Sequence, residues 1–165
     1  MNLVIKALNF AKAKHAGQVR KVSRSEYYLH PVAVSYIVAN YKSSTQLVEL
    51  LAAALLHDTL EDTDTSFVEL ASEFTPLVAS LVLELSNDAE KIKKLGKLEY
   101  QKKKCVGMSN YGLVIKLADR LHNISDSPTE KMISDTKELL NFLKINRKLT
   151  NTQVELVQEI EKLFV

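Results

Sequence analysis

One imidazole and three carboxylates lie within six residues of one another, directly after a long apolar segment. They are His57, Asp58, Glu61 and Asp62, and the segment before them is QLVELLAAALL. If helical geometry continues, His57 lies above Glu61 and Asp58 lies above Asp62, because residues four apart share a helix face. Ionised carboxylates beside a core are costly unless positive charge compensates them. A divalent cation supplies that charge and accepts both ligand types, so the spacing predicts a metal site, although a His-Asp pair at a helix end also arises by chance.

Two further polar residues lie in apolar surroundings elsewhere in the chain. Asp119 lies within VIKLADRLHN, close to the buried stripe that the helical period predicts. The alternative is that Asp119 lies on the surface and pairs with Lys116 or Arg120. His30 precedes Pro31 at a predicted helix start, where its imidazole either projects into a cleft or is satisfied as a structural histidine.

Taken together, these side chains form a mixed nitrogen and oxygen ligand set on three segments: His30, His57, Asp58 and Asp119. Two neutral imidazoles and two carboxylates neutralise a dication and leave octahedral positions for water and substrate. This chemistry suits manganese or iron, with zinc or magnesium as alternatives. The ligand set does not require Cys105, which is the one cysteine of the chain. A single cysteine excludes an intramolecular disulfide framework and a cysteine-based zinc cluster.

The elements that position these residues are predicted to be helices. The 165 residues are 46% hydrophobic and include 4 glycines and 3 prolines, which favours long helices over a turn-rich sandwich or barrel. Periodicity and capping residues predict helices at 2–16, 31–41, 45–57, from Phe67, 76–86, from Ser109, 129–146 and 150–164. The polar stretch 18–29 is predicted to be a long functional loop. We expect a single all-α domain over residues 1–165, a bundle of about eight helices.

The charge balance and the apolar runs bear on partners and location. Lys and Arg number 22 against 20 Asp and Glu, and the net charge of +2 disfavours a general nucleic-acid or membrane-surface binder. The lysine-rich stretch 88–105 is either an exposed helix face or an electrostatic rim that attracts a polyanionic nucleotide. The longest apolar run, Leu50–Leu56, is far shorter than the ~20 residues that span a bilayer. Residues 1–17 lack a signal-peptide pattern, so we expect a soluble cytoplasmic protein.

The order of these motifs resembles the H…HD…D signature of HD-domain phosphohydrolases. AGQVRKVSRSEYYLHP is similar to the AGQxRKxSGxPYxxHP segment of RelA/SpoT-type alarmone hydrolases. AAALLHDTLEDT resembles their LLHDxxEDT segment, and VIKLADRLHNI resembles their KLADRLHN segment. The resemblance covers about residues 7–126, and the predicted helices at about 129–164 lie outside this motif core. In extent the chain is similar to the small stand-alone alarmone hydrolases.

The resemblance implies an all-helical HD bundle with one bound manganese ion. The implied ligands are His30, His57, Asp58 and Asp119. Glu61 and Asp62 are implied to orient and deprotonate the attacking water. The sequence does not single out either one as the base.

The resemblance also implies nucleotide contacts, and it is least close beside them. The implied contacts are Arg20, Lys21, Ser23 and Asn123. Arg24 and Glu26 stand where the pattern has Gly and Pro. Ser125 and Asp126 stand where the long enzymes have Arg and Thr. These departures should leave the metal chemistry unchanged, whereas they weaken the prediction of which nucleotide is bound.

The activity that the resemblance implies is hydrolysis of the 3′-pyrophosphate of guanosine tetra- or pentaphosphate, which converts ppGpp to GDP and pyrophosphate. Two alternatives stay open: the same site acting on another nucleotide, such as NADPH or a deoxynucleotide, and a module that senses the nucleotide without cleaving it. The expected partner is a small-molecule nucleotide rather than a nucleic acid or a membrane. The C-terminal helices either complete the bundle or form a homodimer contact.

Overall fold

The computed structural model describes residues 2–21 and 23–164, and helices make up most of that part of the chain. The eleven helical segments are α1 (Leu3–Lys14), α2 (Leu29–Tyr41), α3 (Leu47–Leu56), α4 (Thr59–Asp62), α5 (Phe67–Glu73), α6 (Pro76–Leu85), α7 (Ala89–Leu95), α8 (Lys97–Gly107), α9 (Asn110–Ser125), α10 (Glu130–Asn146) and α11 (Asn151–Lys162). An isolated antiparallel bridge joins Val19 and Glu26. The prediction of an all-α fold is confirmed.

The three helices beyond the predicted eight are α4, α7 and α8. Helix α4 is a single turn of four residues, too short to show a hydrophobic period. Helix α7 carries no buried residue and begins where the Asp88 side chain accepts a hydrogen bond from the Lys91 backbone N–H. Gly96 separates α7 from α8 with a φ of 80°, a left-handed conformation that glycine adopts without steric cost. The lysine-rich stretch is therefore helical, in two pieces.

The described residues divide into two compact units, one that ends at Ser86 and one that begins at Asn87. In the first unit, α3 packs against α1, α2 and α6. Its residues 52–56 are all buried, and three of these five are alanines. Small side chains let neighbouring helices approach from several sides. A helix that is covered on several sides has few positions in contact with water, which agrees with its nearly all-apolar sequence. The single-domain organisation expected from the sequence stays a prediction.

In the second unit, α9 packs against α11, and α10 packs against α8 and α9. Arg147, directly after α10, donates from Nη1 to the carbonyl oxygens of Cys105 at 3.0 Å and Met108 at 2.6 Å. Its Nη2 donates to Asn110 Oδ1 at 2.8 Å. One guanidinium thus satisfies carbonyls at the end of α8 and holds the start of α9, the helix that carries Asp119.

Two observations concern location and the cysteine. No helix among the described residues combines the length and the apolar character that a membrane crossing requires. Cys105 is buried in α8, and this burial raises the pKa of its thiol, so the sulfur stays protonated at neutral pH. A protonated, inaccessible thiol behaves as a small apolar core residue.

Candidate metal centre

Three of the four predicted ligands come together within the first unit. His30 is the second residue of α2, and His57 and Asp58 directly follow α3. Nε2 of His57 lies 3.1 Å from Asp58 Oδ2, and Nε2 of His30 lies 3.6 Å from the same oxygen. The two imidazole ring centroids are 5.2 Å apart, and both histidines are buried. One carboxylate oxygen therefore faces two imidazole nitrogens in a largely dry environment.

The hydrogen bonding of His57 determines which of its nitrogens can bind a metal. Nδ1 lies 2.8 Å from the carbonyl oxygen of Ala54. A carbonyl oxygen only accepts hydrogen bonds, so Nδ1 carries the proton and donates it. In the neutral imidazole the lone pair is then on Nε2, the nitrogen that faces Asp58. A lone pair and a carboxylate oxygen at this distance repel unless a proton or cation lies near both, and a metal ion fits that requirement.

Tyr27 joins Asp58 to Asp62. Its hydroxyl lies 2.8 Å from Asp58 Oδ2 and 2.9 Å from Asp62 Oδ2, and its single proton can be donated to either carboxylate. Burial raises the pKa of the Tyr27 phenol, and the charges of the two carboxylates raise it further, so the residue remains a donor at neutral pH. The predicted placement of Asp58 above Asp62 agrees with this shared partner. Sequence reasoning missed Tyr27, whose one signal was its position three residues before His30.

A second contact ties the loop after α1 to the acidic turn. Gln18 Nε2 donates to the backbone oxygen of Asp62 at 2.7 Å. His15 is buried, and its Nδ1 lies 2.8 Å from Gln18 Oε1. Because Oε1 only accepts, His15 donates from Nδ1, and its ring packs against Tyr27 with centroids 4.8 Å apart. His15 therefore supports the residues that hold Asp58 and Asp62.

Glu61 and Asp62 occupy the single turn α4. The backbone N–H groups of both donate to the carbonyl oxygen of Asp58, at 3.2 and 2.9 Å. Both residues are exposed, in contrast to the buried histidines. This turn places two solvent-accessible carboxylates beside a buried group of metal-ligand type. A carboxylate in such a position can exchange protons with water.

The predicted nucleotide contacts on the loop lie between Gln18 and Tyr27. Backbone hydrogen bonds of 2.9 Å, from Tyr27 N to Gln18 O and from Arg20 N to Ser25 O, close this loop. Arg20 is half-buried, whereas Lys21 is exposed. Ser23 is exposed as well, and its hydroxyl lies 2.9 Å from the Ser25 hydroxyl. Arg20 and Lys21 are thus accessible to solvent on this loop, and a nucleotide contact by these residues stays a prediction.

Arg24 adopts a φ of 58°, in the left-handed region. This region is sterically unfavourable for a residue with a Cβ and free of that cost for glycine. Arg24 is the position at which the alarmone hydrolase pattern has Gly. The loop backbone therefore keeps a conformation suited to glycine although the side chain has changed.

Asp119 lies in the second unit, on α9, and is buried. Its Oδ2 is 3.0 Å from Lys116 Nζ, and its Oδ1 accepts a hydrogen bond from Asn123 Nδ2 at 2.6 Å. The ion pair with Lys116 is the one that the surface alternative expects, but the burial of Asp119 contradicts a surface role. Asn123, expected to contact a nucleotide, orients this carboxylate. His30, His57 and Asp119 are the buried members of the predicted ligand set.

The sequence profile of the HD domain matches residues 7–140, a range that contains all four predicted ligands. The chain belongs to the HD-domain family. Within that family it is similar to a group of curated enzymes. It is 31% identical over 169 residues to guanosine-3′,5′-bis(diphosphate) 3′-pyrophosphohydrolase MESH1 of Danio rerio, which covers 99% of this chain and 93% of that protein. The Homo sapiens MESH1 protein is 37% identical over 124 residues, covering 74% of this chain and 68% of that protein.

A solved structure has the same fold. It is a metazoan ortholog of SpoT, described as hydrolysing ppGpp and playing a role in starvation responses. The TM-score is 0.80 at 28% sequence identity, and the match covers 98% of this chain and 96% of that one. The match extends beyond the motif core and includes the C-terminal helices.

Proposed function

We propose that this protein is a metal-dependent hydrolase that removes pyrophosphate from the 3′ position of guanosine tetra- or pentaphosphate. The observation that carries the proposal is the convergence of His30, His57 and Asp58, next to the exposed carboxylates of Glu61 and Asp62. The similarity to the MESH1 enzymes over nearly the whole chain supports this substrate. We further propose a cytoplasmic location and a small-molecule nucleotide, rather than a nucleic acid or a membrane, as the partner. A homodimer contact through the C-terminal helices, which also pack against α8 and α9 of their own unit, stays a prediction.

We propose that one divalent cation, Mn²⁺ in this chain, is held by His30, His57, Asp58 and Asp119. An HD-domain hydrolase implies such an ion, and the buried residues suited to it are His30, His57 and Asp119. Two neutral imidazoles supply nitrogen ligands, and two carboxylates balance the charge of the ion. The hydrogen bond from His57 Nδ1 to Ala54 supports this arrangement because it directs the Nε2 lone pair toward Asp58.

The reaction is an attack of water on the phosphorus atom bonded to the ribose 3′ oxygen. The bond between phosphorus and that oxygen breaks, and the oxygen leaves with the electron pair and takes up a proton. When bound, the cation stabilises negative charge on the phosphoryl oxygens and activates water. Glu61 or Asp62 accepts the proton that the water loses. Tyr27 holds the Asp62 carboxylate toward Asp58, which keeps one of the two candidate proton acceptors beside the ligand set.

A nucleotide panel tests the proposal. The purified protein is stripped of metal, resupplied with Mn²⁺, and incubated with ppGpp, pppGpp, NADPH and dGTP, and the products are identified. Release of pyrophosphate from ppGpp, with GDP as the other product, is the expected result. Release of phosphate from NADPH without cleavage of ppGpp would instead support the alternative nucleotide. Tight nucleotide binding without turnover would support the sensing module.

The change Tyr27→Phe tests the hydroxyl that joins Asp58 to Asp62. The phenylalanine ring keeps the packing against His15, so the fold should be retained. Loss of the donor leaves two neighbouring carboxylates without their shared hydrogen bond. Loss of such a supporting contact typically lowers metal affinity or activity by about 10- to 100-fold, and we expect Mn²⁺ affinity measured by calorimetry to fall in that range.

Tyr36→Phe is the matched control for this change, because Tyr36 lies 69% exposed on α2. It should leave Mn²⁺ affinity and turnover at wild-type values. Wild-type Mn²⁺ affinity and turnover in Tyr27→Phe would show that its hydroxyl does not position the carboxylates.

A further inference from the structure

The second unit contains a cavity of about 360 Å³ whose lining is rich in cationic side chains. Four cations line it, and two carboxylates lie among them: Lys97, Lys116, Arg120 and Lys131, with Asp119 and Asp135. Its volume lies at the lower end of the range for small-molecule sites, about 300 to 1,000 Å³, which suits one part of a nucleotide. The cavity therefore has the size and the charge of a site for an anionic group.

The ion pairs inside the cavity leave positive charge in excess. Lys116 pairs with Asp119 at 3.0 Å, and Lys131 pairs with Asp135 at 3.1 Å. Arg120 Nη1 donates to a neutral partner, the hydroxyl of Thr136, at 3.4 Å. Lys97 is exposed at the start of α8. Because each carboxylate is matched by one lysine, the charges of Lys97 and Arg120 remain available to a bound anion.

The beginning of α10 adds to this positive potential. Thr129 caps this helix by accepting a hydrogen bond from the Met132 backbone N–H, and Thr129, Lys131 and Met132 all line the cavity. The helix is 17 residues long, and a helix N-terminus carries a partial positive charge that favours anions. Two independent features, the side-chain cations and the helix terminus, thus favour the same kind of ligand.

We propose that this cavity binds the 5′-polyphosphate of the nucleotide whose 3′-pyrophosphate is hydrolysed. This inference rests on the proposed function. Asp119 and Asn123 both line the cavity, so a nucleotide that reaches the proposed ligand Asp119 also reaches these cations. The 3′-pyrophosphate must meet the metal and the attacking water, which leaves the 5′ phosphates as the remaining anionic groups of the substrate. Lys97 and Arg120 would then determine the preference for 5′-phosphorylated substrates, and Lys131 would contribute by neutralising Asp135 in the lining of the cavity.

The test compares substrates that differ only at the 5′ position: pppGpp, ppGpp, pGpp and guanosine 3′-diphosphate. The variant K97Q/K131Q removes two exposed lysines of the cavity, and K103Q/K137Q removes two exposed lysines of the same helices, α8 and α10, outside it. Each removed lysine contributes a modest, salt-screened attraction to a bound anion, so we expect K97Q/K131Q to raise KM for ppGpp by about tenfold at low salt. The increase should be larger for pppGpp, smaller for pGpp and weakest for guanosine 3′-diphosphate. Higher salt should reduce it.

The outcomes separate this inference from the proposed function. An equal increase in KM for all four substrates, or an equal effect of the control K103Q/K137Q, would overturn the 5′ assignment while pyrophosphate release persists. If the wild-type protein releases pyrophosphate from none of them, the proposed function fails. Calorimetry with inorganic tripolyphosphate on the metal-free protein still tests the cavity: weaker binding by K97Q/K131Q than by the control supports an anion site, and identical binding overturns it.

Discussion

Replacing Asp58 by alanine is expected to remove both bound metal and turnover. Asp58 Oδ2 is the atom on which the Nε2 atoms of His30 and His57 converge, so its loss opens the centre of the ligand set. Removal of a residue that only supports a ligand lowers metal affinity or activity by about 10- to 100-fold, and we expect a larger loss for a direct ligand. Metal content after equilibration with Mn²⁺, measured by atomic absorption, and the rate of pyrophosphate release are the two readouts.

Asp64→Ala is the matched control for this change. Asp64 lies in the same acidic segment, but its carboxylate is exposed and paired with Lys14 at 3.0 Å. This variant should keep metal content and turnover at wild-type values. Circular dichroism of Asp58→Ala must show retained helices, since an unfolded protein also loses metal. Full manganese content and full activity in a folded Asp58→Ala protein would refute the proposed site.

Replacing Glu61 by glutamine is expected to separate metal binding from chemistry. Glu61 is exposed in the single turn α4, and glutamine preserves its size while removing the proton-accepting carboxylate. General-base catalysis typically contributes about 10²- to 10⁴-fold to the rate, so we expect kcat to fall by this amount while Mn²⁺ affinity stays within about threefold. Stopped-flow turnover and calorimetry on the same preparation measure the two quantities.

Asp62→Asn completes this comparison. Asp62 shares the Tyr27 hydroxyl with Asp58, so this change is expected to lower Mn²⁺ affinity as well as kcat. Glu73→Gln, at an exposed carboxylate paired with Lys6, is the control and should behave as wild type. If Glu61→Gln and Asp62→Asn both keep the wild-type kcat, neither carboxylate is the base.

Hydrophobic periodicity predicted most of the helices of the fold. The segment Leu47–Leu56 is apolar nearly all round, and the structure places it against three other helices of its unit, as such a segment requires. The same criterion missed α4 and α7 for a physical reason. One is a single acidic turn and the other buries no side chain, so neither has an apolar face to detect.

The sequence predicted the candidate ligands of the site, but it did not predict the residues that hold those ligands in place. Imidazoles and carboxylates are rare in apolar surroundings, so His57 and Asp58 were conspicuous at the end of an apolar helix. Tyr27 and Gln18 are ordinary polar residues of a loop, and their partners lie 31 to 44 residues further along the chain. Contacts between residues so far apart in the sequence form through tertiary packing. Composition and hydrophobic periodicity do not show which residues tertiary packing brings together.

The left-handed backbone of Arg24 has a consequence for the stability of the folded protein. A residue other than glycine pays roughly 1 kcal/mol or more for that conformation. The smaller conformational freedom of an unfolded chain without glycine offsets such a cost only where the side chain fits without strain, and the left-handed region is not such a place. Arginine at this position therefore lowers the stability of the folded protein, and it adds a positive charge to a loop that already carries Arg20 and Lys21.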